Sequence, residues 1–494
     1  MSDPGLVRLV NALVLPGFHG TTLPGWLDTA LTNGLAGIVY FAPNVDADDP
    51  HQLPALSASI RAANPDAVIA VDEEGGSVSR LEAAAGSTVP SALALGTLDD
   101  VGITREAGRT LGELARKAGI NMALAPVADV NTNPLNPVIG VRSFGSDTPL
   151  VSRHVQAMAE GIQSRRVGAC AKHFPGHGDT STDSHLDLPR LSRSLEEVAE
   201  HHLPPFQAAV DSGVQAVMSA HIVIDELGRQ PATLNPDAGA LLRELGFEGL
   251  LITDALDMAA IRATVGSGPG AVMAVQAGAD VLCVGNPANH STAPGSDESE
   301  YLQVRDALLQ AVEAGDIPPA RLEASAERIG RFVEWTRQEP EPWAPAVDWV
   351  EVTGRTIQGR AIRGRGTVTG PVCILDIRTG RNVAAGKTAD VVSTALAQKV
   401  AVTARPVTDP AAVESTIAEL ELGAEDSVLV LADNLEPGGT QFATADRIHA
   451  KLPQSICINA GMVPSTQPRW PMIHTCGLSR STGEALARRL VQDR

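Results

Sequence analysis

The sequence is poor in aromatic residues, and this shortage limits how its interior can be built. Phe, Trp and Tyr together make up 3% of the 494 residues, whereas hydrophobic residues as a whole make up 44%. Ala, Val and Leu must therefore fill the core. The length is too great for one ordinary core, so it predicts two or three domains, or one barrel followed by one smaller domain.

Basic side chains are also scarce relative to acidic ones. The chain has 38 Lys and Arg against 58 Asp and Glu, which gives a net charge of −20. Such a field repels phosphate backbones and anionic lipids, so neither nucleic acid nor a membrane surface is an expected partner. The acidic residues are spread along the chain instead of forming a tail, which indicates a solubilising surface and leaves the substrate and the oligomeric state open.

Cysteine is rare as well, and its placement argues against disulfide bonds. There are five, an odd number, and Cys170, Cys283 and Cys457 lie inside apolar runs of strand length, where Cys acts as a small hydrophobic residue. We therefore expect no disulfide framework, no bound metal and no cofactor.

Long hydrophobic runs are missing from the start of the chain. The first residues, MSDPGLVRLVNALVLPGF, place Asp3 and Pro4 ahead of Arg8, and their apolar run is short and interrupted. This pattern is neither that of a signal peptide nor that of a membrane span. Together with reduced thiols, it predicts a cytoplasmic protein.

Apolar runs of strand length recur through the first part of the chain. Eight of them precede residue 290: Leu9 to Leu15, Gly37 to Phe41, Ala67 to Val71, Met122 to Val127, Gly168 to Ala171, Ala216 to Met218, Leu250 to Ile252 and Val281 to Val284.

Helical patterns, with apolar residues three and four apart, lie between most of these runs. They include Glu106 to Ala118, Val151 to Ser164, Leu195 to Ala209 and Asp237 to Leu245. Continuous apolar strands that alternate with helices indicate parallel strands buried on both faces. Eight such units predict an α/β fold of the (β/α)8, TIM-barrel type in preference to an open doubly wound sheet.

A second domain is predicted after a Pro-rich boundary at Glu339 to Ala346. Helical patterns at Glu300 to Ala314 and Ala320 to Gln338 close the first part. Beyond the boundary, four apolar runs alternate with helical patterns, which predicts a smaller α/β layered domain. We therefore assign residues 1–340 to the barrel and residues 341–494 to a C-terminal domain, whose role the sequence leaves open. The four runs are Val372 to Asp376, Val400 to Ala404, Val428 to Asp433 and Ile456 to Ala460, and the helical patterns are Ala389 to Gln398, Ala411 to Leu422, Thr444 to Lys451 and Thr482 to Gln492.

Titratable residues are concentrated between Cys170 and Pro189. The stretch CAKHFPGHGDTSTDSHLDLP contains three His, one Lys and three Asp, and it changes from an apolar run to a polar, Gly-containing segment. This order predicts a strand that ends in a long loop, where catalytic side chains are often found. Any one of these His could belong to an ordinary solvated loop, but the whole cluster indicates a site.

Other predicted strands also end in polar residues. Asp72 to Gly76 follow the third strand, Asn131, Asn133 and Arg142 follow the fourth, His221 follows the sixth and Asp254 follows the seventh. Active sites of (β/α)8 barrels lie at these strand ends, so the pattern predicts one there.

Four segments carry a resemblance to a known family. KHFPGHGDTSTDSH (172–185), VDEEGGSVSRL (71–81), NPVIGVRSFG (136–145) and ITDALDM (252–258) resemble glycoside hydrolase family 3, in particular its β-N-acetylglucosaminidase branch. The resemblance covers roughly residues 5–340. It implies a (β/α)8 barrel and a reaction that retains anomeric configuration through a covalent glycosyl-enzyme.

The resemblance also assigns catalytic roles. It implies that Asp254 is the nucleophile and that His185 is the acid/base, with Asp183 as its partner; Ala255 stands where many relatives have another acid. The roles make physical sense, because imidazole, with an ordinary pKa of about 6.5, can both give and take a proton near neutral pH.

The substrate contacts that the resemblance implies fall on five residues. These would hold sugar hydroxyls through charge-assisted hydrogen bonds: Asp72, Arg80, Arg142, Lys172 and His173.

Three functions remain open at this point. The preferred one is a retaining exo-β-N-acetylglucosaminidase that acts on small N-acetylglucosamine glycosides. A phosphorylase is an alternative, because neutral His185 would repel phosphate less than a carboxylate base does. A catalytically silent sugar-binding protein is another alternative, since a fold does not determine its function.

Overall fold

A computed structural model describes residues 3–182, 188–285, 297–359, 368, 370–379, 390–423, 425–466 and 468–491. The chain folds into two compact units. The first consists of Met1–Glu74, Val101–Pro137 and Ser146–Pro345, and the second consists of Gly75–Asp100, Val138–Gly145 and Ala346–Arg494. Of the helices in the described ranges, none combines the length and apolar character needed to cross a membrane.

Within the described ranges, eight buried parallel strands of the first unit form its barrel, as the apolar runs predict. They are β1 (Val14–Pro16), β2 (Gly37–Tyr40), β3 (Val68–Val71), β4 (Met122–Ala123), β5 (Gly168–Phe174), β6 (Ala216–Ser219), β7 (Leu250–Thr253) and β8 (Leu282–Val284).

These strands follow one another around a ring. Six form a single parallel sheet in the order β7-β6-β5-β4-β3-β2, and β8 pairs in parallel with β1. A parallel bridge between Ile252 and Val281 joins β7 to the start of β8. Just before β2, the N–H of Ala36 donates to the carbonyl of Asn11, which precedes β1 (3.0 Å). The predicted (β/α)8 barrel is confirmed.

Helices connect the barrel strands. Those of the first unit are Pro4–Asn11, Gly25–Thr32, Gln52–Ala63, Val101–Lys117, Thr148–Gln163, Leu195–His201, Pro204–Asp211, Pro236–Glu244, Ala259–Arg262, Ser267–Gln276, Asp297–Ala314 and Pro319–Thr336.

Two sequence predictions differ from this arrangement. The run Leu9 to Leu15 is not one strand, because a helix covers Pro4–Asn11 before β1 begins at Val14. Asp3 caps this helix by accepting from the N–H of Gly5 (3.0 Å), and Pro4 occupies its first position. The predicted helix Leu195 to Ala209 is two helices, since Pro204 cannot continue the first but begins the second well.

Small residues fill much of the barrel interior, as the shortage of aromatic residues predicts. The core cluster combines Ala36, Ala70, Cys170 and Ala216 with larger aliphatic residues. Phe332, from the helix Pro319–Thr336, packs into the same cluster. A Cβ atom at Gly168 would lie 2.6 Å from the Phe332 ring, so β5 must begin with glycine for this ring to fit.

A buried carboxylate joins several elements on the side of the barrel where the strands begin. Asp280 is fully buried just before β8 and accepts from Arg243 (2.7 Å), Arg321 (3.4 Å), Arg328 (3.2 Å) and the hydroxyl of Ser325 (2.9 Å). These donors lie on the helices Pro236–Glu244 and Pro319–Thr336. Asp280 therefore connects two helices to the barrel through charge-assisted hydrogen bonds.

The second unit contains a five-stranded parallel sheet in the order β10-β9-β11-β12-β13. Its two faces are apolar: Ile374, Leu429 and Ile458 belong to one cluster, and their chain neighbours belong to another. This alternation indicates a sheet covered on both faces. The strands are β9 (Val372–Asp376), β10 (Val402–Pro406), β11 (Ser427–Ala432), β12 (Ile456–Asn459) and β13 (Met472–His474), and the helices are Ala92–Leu98, Trp349–Gly359, Val391–Ala397, Val413–Ala418, Thr440–Lys451 and Arg480–Leu490.

Two segments from within the predicted barrel range, 75–100 and 138–145, belong to this second unit. Polar contacts explain the first of them. The guanidinium group of Arg480 pairs with Glu82 (3.0 Å), and the backbone N–H of Arg480 donates to the carbonyl of Ser87 (2.8 Å). The Ser91 hydroxyl donates to the carbonyl of Cys476. No sequence pattern shows such contacts, because the partners lie almost 400 residues apart.

We expect Asp280→Ala to lower the stability of the first unit by about 3–5 kcal/mol, because it leaves three guanidinium groups without their buried carboxylate. Thermal and denaturant unfolding would measure the loss. Asp306→Ala is the control, since Asp306 is about half exposed where it pairs with Arg305 (2.6 Å), and such a pair contributes at most about 1 kcal/mol. Equal losses in both variants would contradict the role of Asp280.

Candidate active site

A buried lysine is bound by two carboxylates where β3 and β5 end. The ammonium group of Lys172 lies 2.8 Å from Asp72 Oδ1 and 2.7 Å from Glu74 Oε1, and its side chain is 2% exposed. A charge this deeply buried requires such compensation. Asp72 is the most accessible of the three, with 20% of its side chain exposed, so this carboxylate can also meet a ligand.

Asp254 follows β7 directly and is partly exposed. Its Oδ1 accepts from the N–H of Ala255 (2.8 Å), and its own N–H donates to the carbonyl of Ser219 at the end of β6 (3.2 Å). The carboxylate position is therefore set by the backbone of two neighbouring strands.

Two buried thiols show that these charges belong to one cluster. Burial raises the pKa of Cys170 to about 12, and the charges that act on it are those of Lys172, Asp72 and Asp254. Burial also raises the pKa of Cys283, to which Asp254, Asp257 and Asp72 contribute. The structure thus brings Asp72, Lys172 and Asp254 together at the carboxyl ends of β3, β5 and β7. Both thiols stay protonated and unreactive.

Asp129 organises the chain beyond β5. It is fully buried, and its Oδ2 lies 2.8 Å from Nδ1 of His173. Its Oδ1 accepts from the backbone N–H groups of His173 (3.2 Å) and His177 (2.6 Å). The pairing of β5 with β6 shifts register between Lys172 and Phe174, as at a β-bulge, and this redirects His173.

Burial, neighbouring charges and hydrogen bonds together decide the protonation of Asp129 and His177. Burial raises the pKa of Asp129, but the charges of His173 and His177 and the hydrogen bonds from both residues more than offset it, so the pKa lies below its ordinary value. For His177, burial dominates and the charge of His173 adds to it, which lowers the pKa to about 4. Asp129 is therefore ionised and His177 neutral near pH 7.

Asparagine side chains after β4 hold the segment that begins the long loop. Asn136 donates to the carbonyl of His177 (2.8 Å), and Asn133 donates to the carbonyl of Thr180 (3.1 Å). A Cβ atom at Gly178 would lie 1.9 Å from the carbonyl oxygen of Val130, so only glycine allows this approach.

Two further side chains hold the same segment from outside. Asp179 accepts from the Thr132 hydroxyl (2.8 Å) and from Nε of Arg193 (2.7 Å). Gly176 lies against the buried His202 side chain, whose Cβ atom would be 2.8 Å from a Cβ atom at Gly176. Residues 176–180 are therefore fixed on several sides.

His221, which follows β6, is a buried, hydrogen-bonded histidine. Its Nδ1 lies 2.9 Å from the Thr233 hydroxyl, and its Nε2 donates to the carbonyl of Ala255 (2.9 Å). It thus supports the residue that follows Asp254.

The four remaining predicted site residues belong to the second unit or lie outside the described residues. Arg80 and Arg142 belong to the second unit, where both are buried and Nη1 of Arg142 donates to the carbonyl of Val138 (3.0 Å). Asp183 and His185 lie outside the described residues. The roles assigned to these four residues stay predictions.

Sequence reasoning missed Asp129 and gave no role to Glu74. Asp129 stands two residues beyond the predicted fourth strand, so the same rule that selected Asp72 and Asp254 could have found it. Glu74 follows Asp72 by two residues, and only the three-dimensional contact shows that it shares Lys172.

Metal binding has no obvious centre in the part of the chain that the structure describes. There, no group of three or more His, Cys, Asp or Glu side chains is arranged to hold an ion.

The geometry defines a barrel enzyme, since ionisable side chains converge where parallel strands end. The model of the glycosyl hydrolase family 3 N-terminal domain matches residues 28–332. The chain belongs to glycoside hydrolase family 3.

Named relatives match somewhat more than half of the chain. A β-hexosaminidase from Methylococcus capsulatus is 32% identical over 298 residues, which cover 56% of this chain and 88% of that protein. The β-hexosaminidase LpqI from Mycobacterium tuberculosis is 36% identical over 282 residues, which cover 56% of this chain and 68% of that protein.

A solved structure extends the similarity to both units. The family 3 β-N-acetylglucosaminidase from Paenibacillus sp. FPU-7 is 30% identical, with a TM-score of 0.82 over 98% of this chain and 95% of that one. A β-glucoside phosphorylase matches with a TM-score of 0.72 at 18% identity, which shows a shared fold.

We expect His177 to make the protein less stable in acid. Its pKa of about 4 lies below that of an unfolded histidine, about 6.5, so between these values the unfolded state binds the extra proton. Stability is therefore lost as pH falls from 6.5 toward 4. Between about pH 7 and pH 5, the wild type should lose about 2 kcal/mol more than His177→Asn.

Denaturant unfolding at several pH values would measure this difference, and groups common to both proteins cancel. Between about pH 7 and pH 8 the two proteins should change in parallel. Parallel curves down to pH 5 would show that His177 is protonated in the folded protein as easily as in the unfolded one.

Proposed function

We propose that this protein is a retaining exo-β-N-acetylglucosaminidase, which removes terminal β-linked N-acetylglucosamine from small glycosides. The similarity to a solved β-N-acetylglucosaminidase over 98% of the chain carries this proposal. The names of the β-hexosaminidase relatives support the same substrate class.

Asp254 is the proposed nucleophile. Its carboxylate is partly exposed at the end of β7, and its Oδ1 is oriented by the N–H of Ala255 at 2.8 Å. A carboxylate in this position can attack the anomeric carbon from one face, and the glycosidic C–O bond breaks as the ester bond forms. Water then releases the sugar from the ester.

His185 is the proposed acid/base, with Asp183 as the residue that orients it. The leaving oxygen needs a proton in the first step, and the incoming water must lose one in the second. An imidazolium can supply the first proton and, once neutral, accept the second. The segment just before these residues supports the proposal, because Asn133 and Asn136 fix its backbone at Thr180 and His177.

Asp72, Lys172 and His173 are proposed to bind the sugar hydroxyls, and Arg80 and Arg142 are proposed as further contacts. Lys172 is held by Asp72 and Glu74, and Asp72 is the more accessible of these two carboxylates. A sugar hydroxyl can accept a hydrogen bond from Lys172 and donate one to Asp72. It would then form a charge-assisted hydrogen bond with each residue.

Product analysis tests the proposal. With 4-nitrophenyl β-N-acetylglucosaminide, we expect free N-acetylglucosamine at the same rate with and without millimolar phosphate, and far slower turnover of the β-glucoside. Asp254→Ala should abolish turnover of the preferred substrate while the thermal unfolding curve stays unchanged.

Each contrary outcome has its own meaning. N-acetylglucosamine 1-phosphate formed at a phosphate-dependent rate would make the protein a phosphorylase. Binding of the sugar without turnover would make it a silent binder. Near-normal turnover by Asp254→Ala would show that another residue is the nucleophile.

Leaving-group dependence tests His185. We expect His185→Ala to slow cleavage of glycosides with poor leaving groups about a hundredfold or more, and to affect activated aryl glycosides much less, because only poor leaving groups need the proton. Steady-state kinetics on a series of substituted phenyl glycosides would measure this. Equal losses along the series would argue against His185 as the acid.

A further inference from the structure

Asp129 has a role that neither the proposed mechanism nor a purely structural account includes. Three of the donors to its two carboxylate oxygens lie in the described part of the chain, and one of these three is the Nδ1 ring nitrogen of His173 at 2.8 Å. The other two are backbone N–H groups, which would satisfy the carboxylate's Oδ1 with any ring orientation. The contact with the ring therefore needs its own explanation.

We propose that Asp129 is a positioning residue that fixes His173 in the Nδ1–H tautomer, so that its Nε2 atom is a hydrogen-bond acceptor for one sugar hydroxyl. This inference deepens the proposed function and rests on it for the identity of the ligand.

The tautomer follows from the inventory of donors and acceptors. An ionised carboxylate can only accept hydrogen bonds, so the proton between Oδ2 and Nδ1 belongs to the ring. In a neutral imidazole, the other nitrogen then carries a lone pair. Asp129 is fully buried, so water cannot replace it as the acceptor.

The other ring nitrogen is open to a ligand. Within the described ranges, Nε2 of His173 has no hydrogen-bond partner from the protein, and the residue keeps 7% of its surface exposed. The edge-on contact with the His177 ring, whose centroid lies 5.9 Å away, limits how the imidazole can turn. A fixed acceptor atom is therefore available to a ligand.

The two neighbours on β5 then offer complementary chemistry. Lys172 can only donate a hydrogen bond, and His173, held by Asp129, can only accept one through Nε2. A hydroxyl both donates and accepts, whereas fluorine accepts weakly and cannot donate. We therefore infer that His173 favours a substrate with a hydroxyl at one position of the sugar, because only the hydroxyl can donate a hydrogen bond to Nε2.

Nitrogen-15 histidine NMR tests the tautomer without any turnover. At about pH 8, long-range proton–nitrogen spectra should show the His173 ring neutral, with its proton on Nδ1; a His173→Gln variant assigns the signal. Asp129→Asn should move the proton to Nε2, because its amide keeps one oxygen for the backbone N–H groups and presents an N–H to Nδ1.

Asp179→Asn is the matched control, since Asp179 contacts Thr132 and Arg193 from the same loop. It should leave the His173 signal unchanged. A wild-type ring that carries its proton on Nε2, or on both nitrogens, would overturn the proposal even if Asp129→Asn failed to fold.

Substrate specificity provides the second test. The substrates are 4-nitrophenyl N-acetylglucosaminides in which fluorine replaces one sugar hydroxyl at a time. For one of these substrates, kcat/KM of the wild type should be about tenfold to a hundredfold lower than for the parent glycoside. Asp129→Asn should lose about the same factor on the parent, and its discrimination at that one position should fall about tenfold.

The two tests fail separately. If the wild type turns over no N-acetylglucosaminide, the proposed function is wrong, while the NMR result still decides the tautomer. Identical fluorine effects in the wild type and in Asp129→Asn at every position would overturn the acceptor role of His173.

Discussion

The burial of the Lys172 ammonium group is the constraint on which the site depends. A charge that is 2% exposed is stable only with close compensation, and Asp72 and Glu74 supply it at 2.8 and 2.7 Å. These partners come from the end of β3, whereas Lys172 lies on β5, and only β4 lies between these two strands in the parallel sheet. Because the strands are parallel, their carboxyl ends lie at one rim. The ion pairs therefore tie the chemistry of the site to the parallel order of the barrel strands.

The sequence predicts the barrel well because its signals are local. Continuous apolar runs mark β2 through β8, polar residues follow β3 through β7, and the helical patterns between the strands have the right period. It fails where competing local chemistry decides the outcome. Capping by Asp3 and Pro4 turns the residues before β1 into a helix, and Pro204 divides one predicted helix into two.

The site is predictable only in part, because the remaining contacts are made by residues far apart in the sequence. Asp72, Lys172 and Asp254 were found as polar residues at strand ends, and they do form one charged cluster. Asp129 also follows a strand end, but its role can be recognised only from the contacts of its carboxylate with His173 and His177. These residues lie more than 40 positions further along the chain. The assignment of segment 75–100 to the second unit depends in the same way on Arg480 and Cys476.

Asp129 also connects the sugar contacts of β5 with the loop that follows. One carboxylate oxygen holds the ring of His173, and the other holds the backbone of His177, where the segment toward Asp183 and His185 begins. The low pKa of His177 keeps its ring neutral near pH 7, so no positive charge from His177 lies beside His173. A single buried anion can thus orient an acceptor for the sugar and anchor the base of the loop. Since a carboxylate has two oxygens and only accepts, Asp is better suited to both tasks than Asn, whose amide group would compete with one of them.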